Sequence, residues 1–459
     1  MTQLATAQDR TVHVDLYARL AEQSRVERAP WLDELRRAAM ARFEQVGFPL
    51  KKDEEWRFTD LSPITKTQFK LAERVPDELA TDVAASFSFG TDAVSELVFV
   101  NGHFAPGLSR IGKLPRGVKV GRLADAINDS GELVEPHLAK LADVERNPFV
   151  ALNTGFLSDG AFLHFARGTV VEQPIHLLFV SAKGADLSVS HPRVLVIAEE
   201  NVQATIVESY VGGGAGIYFT NAVTEIVAGQ GSQIDHCKLQ QESLDANHVA
   251  TMQVKLGRDA TFVSHSATIG AKLTRNDLNC HMAGQGAYAT LNGLVLVGGN
   301  QHCDNHTLLD HAEPNCPSHE LYKHVLSGKS TAVFKGKILV RQPAQKTDSK
   351  QTSKTLLLSD DATMNSQPAL EIYADDVKCT HGSTIGPVDE DMIFYLRSRG
   401  VGLEAARHLL SYAFAADITR RIKVEPVRRR LEDFMAAQHG LPQDLRITNL
   451  GAFDEAVQT

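Results

Sequence analysis

No Cys-x-x-Cys pair occurs anywhere in the 459 residues, which excludes a self-contained four-thiolate site of the ferredoxin kind. The five cysteines, Cys237, Cys280, Cys303, Cys316 and Cys379, are an odd number spread widely, and in a reducing compartment they stay thiols. A run of about 18 apolar residues is also missing, which argues against a membrane-spanning helix. Basic residues are not in excess: 47 Lys and Arg stand against 56 Asp and Glu, for a formal charge of -9. Such a surface does not suit the counterion release on which nucleic-acid binding depends. The first ten residues have no charged-then-apolar signal and carry an acid too early for a transit peptide, so a cytoplasmic location is expected. Two glycine-rich stretches fail as phosphate cradles. Gly328-Lys329-Ser330-Thr331 would need glycine where Lys323 stands, and Gly212 to Gly216 is followed by Ile217 in place of the last required glycine. No nucleotide site is expected.

What is present is a change of character along a chain long enough for two or three domains. Helical spacing is expected over Leu16 to Gln23, and again from Pro30-Trp31 through Leu32, Leu35, Ala38, Ala39 and Phe43 to a stop at Gly47. Asn101-Gly102, between Glu96–Val100 and His103-Phe104, signals a hairpin. More helix is expected from Leu123 to about Leu157, broken near Asn147-Pro148. From about Phe162 to Thr384 short strands alternate with Gly, Asp and Asn turns. Similar turns begin at 199, 229, 257, 284, 327 and 359, with one longer interval that reads as an insertion. The residue after each turn is small or Val (Val202, Ser232, Ala260, Ala287, Ser330, Ala362), and two places on it is apolar (Ala204, Ile234, Phe262, Ala289, Ala332, Met364). Period two puts both on one strand face, and stacked faces make one continuous core. The cleanest alternation places Phe334, Gly336, Ile338 and Val340 inside, with Lys335 and Lys337 outside. A parallel β-helix is the reading; a β-sandwich with long loops fits the same register.

Beyond this region the chain is helical. Asp389 is placed to cap a helix that ends at Gly400. Leu403 to Ile422 carries Ala406, Leu409, Leu410, Ala413, Phe414 and Ile418 as an apolar stripe, and a third helix starts at Pro426. Arg420, Arg421, Lys423 and Arg428 to Arg430 read first as a solvated basic face. Between strands and helices, Cys379 and His381 leave the same face of one strand, a thiol and an imidazole that make half of a metal site.

Several long motifs run in one order: Glu55-Trp-Arg-Phe-Thr-Asp-Leu61, His319 to Lys323, Phe334 to Val340, Ala344 to Asp348, Leu356 to Ser359, Leu370 to Asp376, Ala374 to Gly386, and Asp389 to Gly400. On these the chain resembles the SufB/SufD family of iron-sulfur cluster assembly scaffolds, on its SufD side. Leu396 stands where the SufB side carries a cysteine. The resemblance implies a mainly β fold, a right-handed parallel β-helix core over 159–388 between a mostly helical domain at 1–158 and a C-terminal helical domain at 389–459. It also implies a non-catalytic scaffold subunit of the SufBCD complex. SufB would pair through the β-helix, and the ATPase SufC would bind the C-terminal helices, with Phe394, Tyr395, Arg397, Leu409 and Phe414 as candidate contacts. Cys379 and His381 would serve a cluster held transiently with SufB and not stably by the chain alone; a homodimer is expected when the partner is missing. Helical units before and after the strands would cover the ends of the β-helix. Two rivals come from other classes. One is a β-helix carbohydrate-active enzyme, which needs acids gathered in a groove. The other is a stand-alone zinc protein using His302, Cys303, His306, His311, Cys316 and His319.

Overall fold

The structure, a computed structural model, describes residues 29–439 apart from 183 and 215; the helix expected at Leu16 to Gln23 lies outside them. The central chain winds alternately through two parallel sheets. Sheet A contains Arg193–Ala198, Tyr218–Ala228, Asn247–Leu256, Leu273–Met282, His302–His311 and Thr331–Val340, and ends in the short strands Thr363–Ser366 and Ala369–Ile372. Sheet B contains Ile175–Ser181, Gln203–Gly212, Gln233–Gln241, Thr261–Thr268, Tyr288–Val297, Pro317–Leu326, Asp348–Leu357 and Lys378–Pro387. This is a parallel β-helix of about eight turns with helices on either side, as expected. Each strand pairs in register with the one a turn earlier. Ala204, Ile234, Phe262, Ala289, Ser318, Ser349 and Cys379 therefore form one column, its members about 4.8 Å apart. The inward faces of both sheets meet in a single core that includes Phe262, Leu291, Phe334, Ile338 and Val340, all fully buried.

The turn register changes sheets part of the way along. Turns at 199, 229, 257 and 284 lead into sheet B, whereas those at 327 and 359 lead into sheet A. The longer interval is one and a half turns of the helix, not an insertion. The strand that continues sheet B is Pro317–Leu326, and its turn was hidden by chemistry. Every turn into sheet B from 199 onward, up to that before Asp348–Leu357, holds the residue two places before the strand in the left-handed region: Asn201, Gly231, Asp259, Gly286, Asn315 and Lys346, with φ between 54° and 75°. Glycine suits that conformation and Asn or Asp tolerates it. The backbone repeat is thus strict where the residue repeat is not.

At the first end of the β-helix, Ser95–Val100 adds to sheet B beside Ile175–Ser181. It turns back at Asn101-Gly102, both with positive φ, into His103–Phe104, the expected hairpin. Val118–Arg122 closes sheet A by antiparallel pairing with Gly160–Phe165. The chain before 159 is therefore continuous with both sheets. Its helices α1 (Pro30–Val46) and α2 (Pro148–Gly155) cover sheet A, where Trp56 lies on Phe149 and under the Arg275 guanidinium, 4.4 Å from the ring. Asn147 caps α2 with its side chain. Glu225, fully buried on this face, accepts the main-chain N–H of Ala139, Leu141 and Ala142 and the Arg193 guanidinium. Glu55 bonds His306 and Lys335, so the Glu55-Trp56 motif works as a clasp.

The C-terminal helices do not cover the other end. α3 (Glu390–Ser398) starts as expected, with the Asp389 carboxylate accepting from the amides of Asp391 and Met392. α4 (Leu403–Thr419) and α5 (Glu425–His439) lie across the outer face of sheet B, burying Tyr412, Ala415, Ile418 and Met435 on Leu294. Ile422, Val427 and Leu431 pack on Cys237, Leu239 and Ala267. The expected stripe is rotated: Ala406 and Ile418 are buried, Leu409, Leu410 and Phe414 are half-buried, and Ala413 is exposed. Lys323 sets this docking angle, because its ammonium bonds the Phe414 carbonyl and Asp417 and lies 4.5 Å from the Phe414 ring. The basic face is largely paired within the chain, Arg421 with Asp417, Lys423 with Asp235, and Arg428 and Arg429 with Glu425. Among the described residues no helix is long and apolar enough to cross a membrane.

Polar residues enter the core midway along the β-helix, at Glu208, His236, Lys238, Glu242 and His248, and again toward the end beyond which no described strand lies. Beyond Leu291 the same column continues as Glu320, Gln351 and His381. Burial pushes the Glu320 carboxyl up to about 7, although the Gln351 amide donates to it at 2.7 Å. The folded chain therefore keeps a proton that the unfolded chain releases. The stability tied to that proton is present at low pH and is lost as pH rises from about 4.5 through about 7. Glu320→Gln is expected to raise the melting temperature by roughly 5 °C at pH 8 and to change it little at pH 5. Scanning calorimetry of both proteins across this range checks it; a difference independent of pH would contradict the assignment.

Candidate functional site

The terminal strand Lys378–Pro387 pairs with Asp348–Leu357 on one side, and no described strand lies along its other edge. Its residues are exposed or half-buried throughout, so an unpaired ladder of main-chain donors and acceptors faces outward. Cys379 and His381 stand on this strand in the two inward columns, and both project toward the open end of the lumen, as their spacing predicts. Cys379 is half-buried against the last core residues, whereas His381 is exposed. Burial raises the Cys379 thiol, a hydrogen bond from the Ser349 main chain opposes this, and Asp348 adds to the rise.

The other four thiols are buried. Desolvation pushes Cys237 and Cys303 up to about 12 and holds Cys280 and Cys316 high as well. The thiolate is the form that binds metal or attacks sulfur, and Cys379, though also raised by burial, is the least enclosed of the five thiols.

The histidines and cysteines of the 302–319 segment are not brought together. His302 bonds Thr59, and His306 bonds Asp304 and Glu55, on the outer face of sheet A. Cys303 points into the core, His311 bonds Ser318 in the lumen, and His319 stands against Tyr288 on sheet B. Among the described residues no group of three or more His, Cys, Asp or Glu could hold a metal ion. Lys329 and Ser330, from the stretch that looks like a phosphate loop, sit in a turn that opens a strand and not a helix.

Around the open end, large apolar side chains face solvent: Ile372 and Ile385 on the last strands, Tyr373 just after the first of them, and Met392, Phe394 and Tyr395 on α3. Phe394 is 75% exposed and Tyr395 56%. Arg397 is also exposed. Leu409 and Phe414 differ from these three, since they are half-buried and Phe414 lies under Lys323. Reasoning from sequence missed Ser349 and Gln351, which stand one turn behind Cys379 and His381. The signal available was a strand, Asp348 to Leu357, whose inward positions Ser349, Gln351 and Ser353 are all polar.

Comparison with known proteins agrees with this geometry. The SUF system FeS cluster assembly, SufBD core domain matches residues 179–414, and the SufBD protein N-terminal region matches residues 7–177. An iron-sulfur cluster assembly SufBD family protein of Synechocystis is 34% identical over 400 residues, 85% of this chain and 87% of that one. The iron-sulfur cluster assembly protein SufD of Escherichia coli is 31% identical over 392 residues, 84% of this chain and 88% of its own length. SufD of Bacillus subtilis is 25% identical over 411 residues, 87% and 92% of the two chains. With both of its parts matched and this much of each relative covered, the chain belongs to the SufB/SufD family of iron-sulfur cluster assembly proteins, in its SufD branch.

Proposed function

We propose that this chain is a non-catalytic scaffold subunit of a cytoplasmic SufBCD complex, joined to SufB through the open end of its β-helix and to the ATPase SufC through its C-terminal helices. The observation that carries the reading is the uncovered terminal strand with a half-exposed thiol and an exposed imidazole on its lumen side. A thiolate and a neutral imidazole are both suitable iron ligands, and two of them leave a tetrahedral iron incomplete. SufB supplies the remaining ligands, and the cluster is cargo assembled between the chains. Without SufB the same unpaired edge fits a second copy of this chain.

ATP hydrolysis by SufC would move the two scaffolds relative to one another and open their shared end to iron and sulfide. The exposed Phe394 and Tyr395, beside Arg397, support placing the ATPase contact on α3, with Leu409 and Phe414 setting the docking of α4 behind it. Two aromatic side chains left in water this close to an open edge are the kind of anchor that interfaces use.

Two measurements test the two halves. Replacing both Phe394 and Tyr395 with Ala is expected to weaken SufC capture at least 30-fold, about 2 kcal/mol, while the melting temperature of the isolated chain stays put; unchanged affinity by calorimetry would remove α3 from the interface. His381→Ala is expected to leave folding and assembly with SufB intact and to cut the iron and sulfide content of the purified complex severalfold. A cluster yield equal to that of the parent complex, or one lost only in step with unfolding, would reduce His381 to a surface residue.

A further inference from the structure

We infer that Ser349 and Gln351 are positioning residues for the pair one turn outward, Ser349 for Cys379 and Gln351 for His381. This rests on the reading of that pair as a cluster-assembly site. Earlier in the β-helix the column that ends at Cys379 is Ala204, Ile234, Phe262 and Ala289, all buried in the apolar core. Over the last turns it becomes Ser318 and Ser349, both 0% exposed. The column that ends at His381 runs through Ile206, His236, Ser264, Leu291, Glu320 and Gln351, all buried and of mixed polarity, with its last two enclosed members both polar. Polar side chains in a dry interior oppose folding unless they are bonded or have a task.

Each of the two is held from behind. The Ser349 hydroxyl bonds that of Ser318 at 2.7 Å, which in turn bonds His311 Nε2 at 3.0 Å. Ser349 pairs with Cys379 across the ladder and stands under it in the column with a braced hydroxyl. Gln351 donates from Nε2 to Glu320. Room for that amide is kept by Gly336, where a Cβ would come within 2.3 Å of Nε2. With Nε2 committed, Oε1 is the remaining arm, and it has no hydrogen-bond partner among the described residues. The next side chain along its column is His381.

A histidine that ligates metal through one ring nitrogen is held in place by donating the other N–H to an oxygen acceptor, and hydrogen bonds to a ligating sulfur tune the cluster it holds. Gln351 Oε1 is that acceptor, and Ser349 is that donor. With Nε2 on Glu320, Oε1 is the end of the Gln351 amide left to meet the next turn.

The test uses the complex with SufB and SufC, loaded with ferrous iron and sulfide. The variants are Ser349→Ala, Gln351→Met, and Glu320→Met combined with Gln351→Met, which removes both members of the buried bond so that packing is kept. Gln351→Glu and Ser349→Thr restore the oxygen atoms. We expect the double variant to melt at or above the parent temperature while cluster content falls about fivefold, with a shifted sulfur-to-iron absorption in whatever cluster remains. Gln351→Glu and Ser349→Thr should recover both signals. Parent-level cluster content and absorption in Ser349→Ala and Gln351→Met would overturn the inference, as would a loss that only tracks melting temperature. Cys379→Ala and His381→Ala run in parallel separate the two claims. If they lose cluster and the lumen variants do not, the positioning role alone is wrong; if they keep it, the site reading falls and this inference with it.

Discussion

Parallel in-register stacking is the constraint on which the rest of this molecule depends. Each strand of the β-helix satisfies its main chain through the strand before and the strand after, so every inward side chain lies over the same position one turn away. Two consequences follow from that single rule. A column can be followed from turn to turn, and what stands at its end is presented by everything behind it. The last turn, having no successor, must leave a row of donors and acceptors unpaired. Strands before residue 159 close the first end. At the other end the helices go sideways onto sheet B, and among the described residues no strand pairs with the outer edge of the ladder beside Cys379 and His381.

The interior carries the same logic into chemistry. Columns such as Ala204, Ile234, Phe262 and Ala289 are apolar, and burial there supplies stability at about 25 cal/mol per Å² of apolar surface, whereas the interior midway along the β-helix also encloses Glu208, His236, Lys238, Glu242 and His248, bonded to one another. Near the open end Ser, Gln and Glu replace Ala, Phe and Leu at equivalent places. Thiol chemistry divides along the same line: cysteines deep in the fold are held protonated by desolvation, and the one at the rim is not enclosed.

Local features were legible in the residues because their causes are local. Asn101-Gly102 takes positive φ at both positions, the Asp389 carboxylate bonds two amides at once, and Phe334 to Val340 alternates as pleating requires. The alternation of Cys379 and His381 put them on one side for the same reason. Where reading failed, a distant partner decided. Of the turns into sheet B, that before Asp348 has Lys346 where the others have Gly, Asn or Asp, and that before Pro317 has Asn315 between Pro314 and Cys316 without a glycine, so the residue repeat skipped a strand that the backbone repeat keeps. The buried face of α4 was set by Lys323, some ninety residues earlier in the chain. The inward serines and Gln351 look like a solvated strand face until the second sheet is placed over them. Family motifs gave the fold and branch, but not which end stays open.

The central claim is that the open terminal strand is where the partner scaffold joins. Hydrogen exchange of residues 378–387, followed at a concentration where the chain is monomeric and again with SufB added, measures this directly. Amides on the unpaired edge should exchange rapidly in the chain alone and slow at least about 100-fold in the complex, with little change in the middle of the β-helix. A stable complex in which these amides exchange as fast as before, or in which protection appears on a different face, would contradict the account.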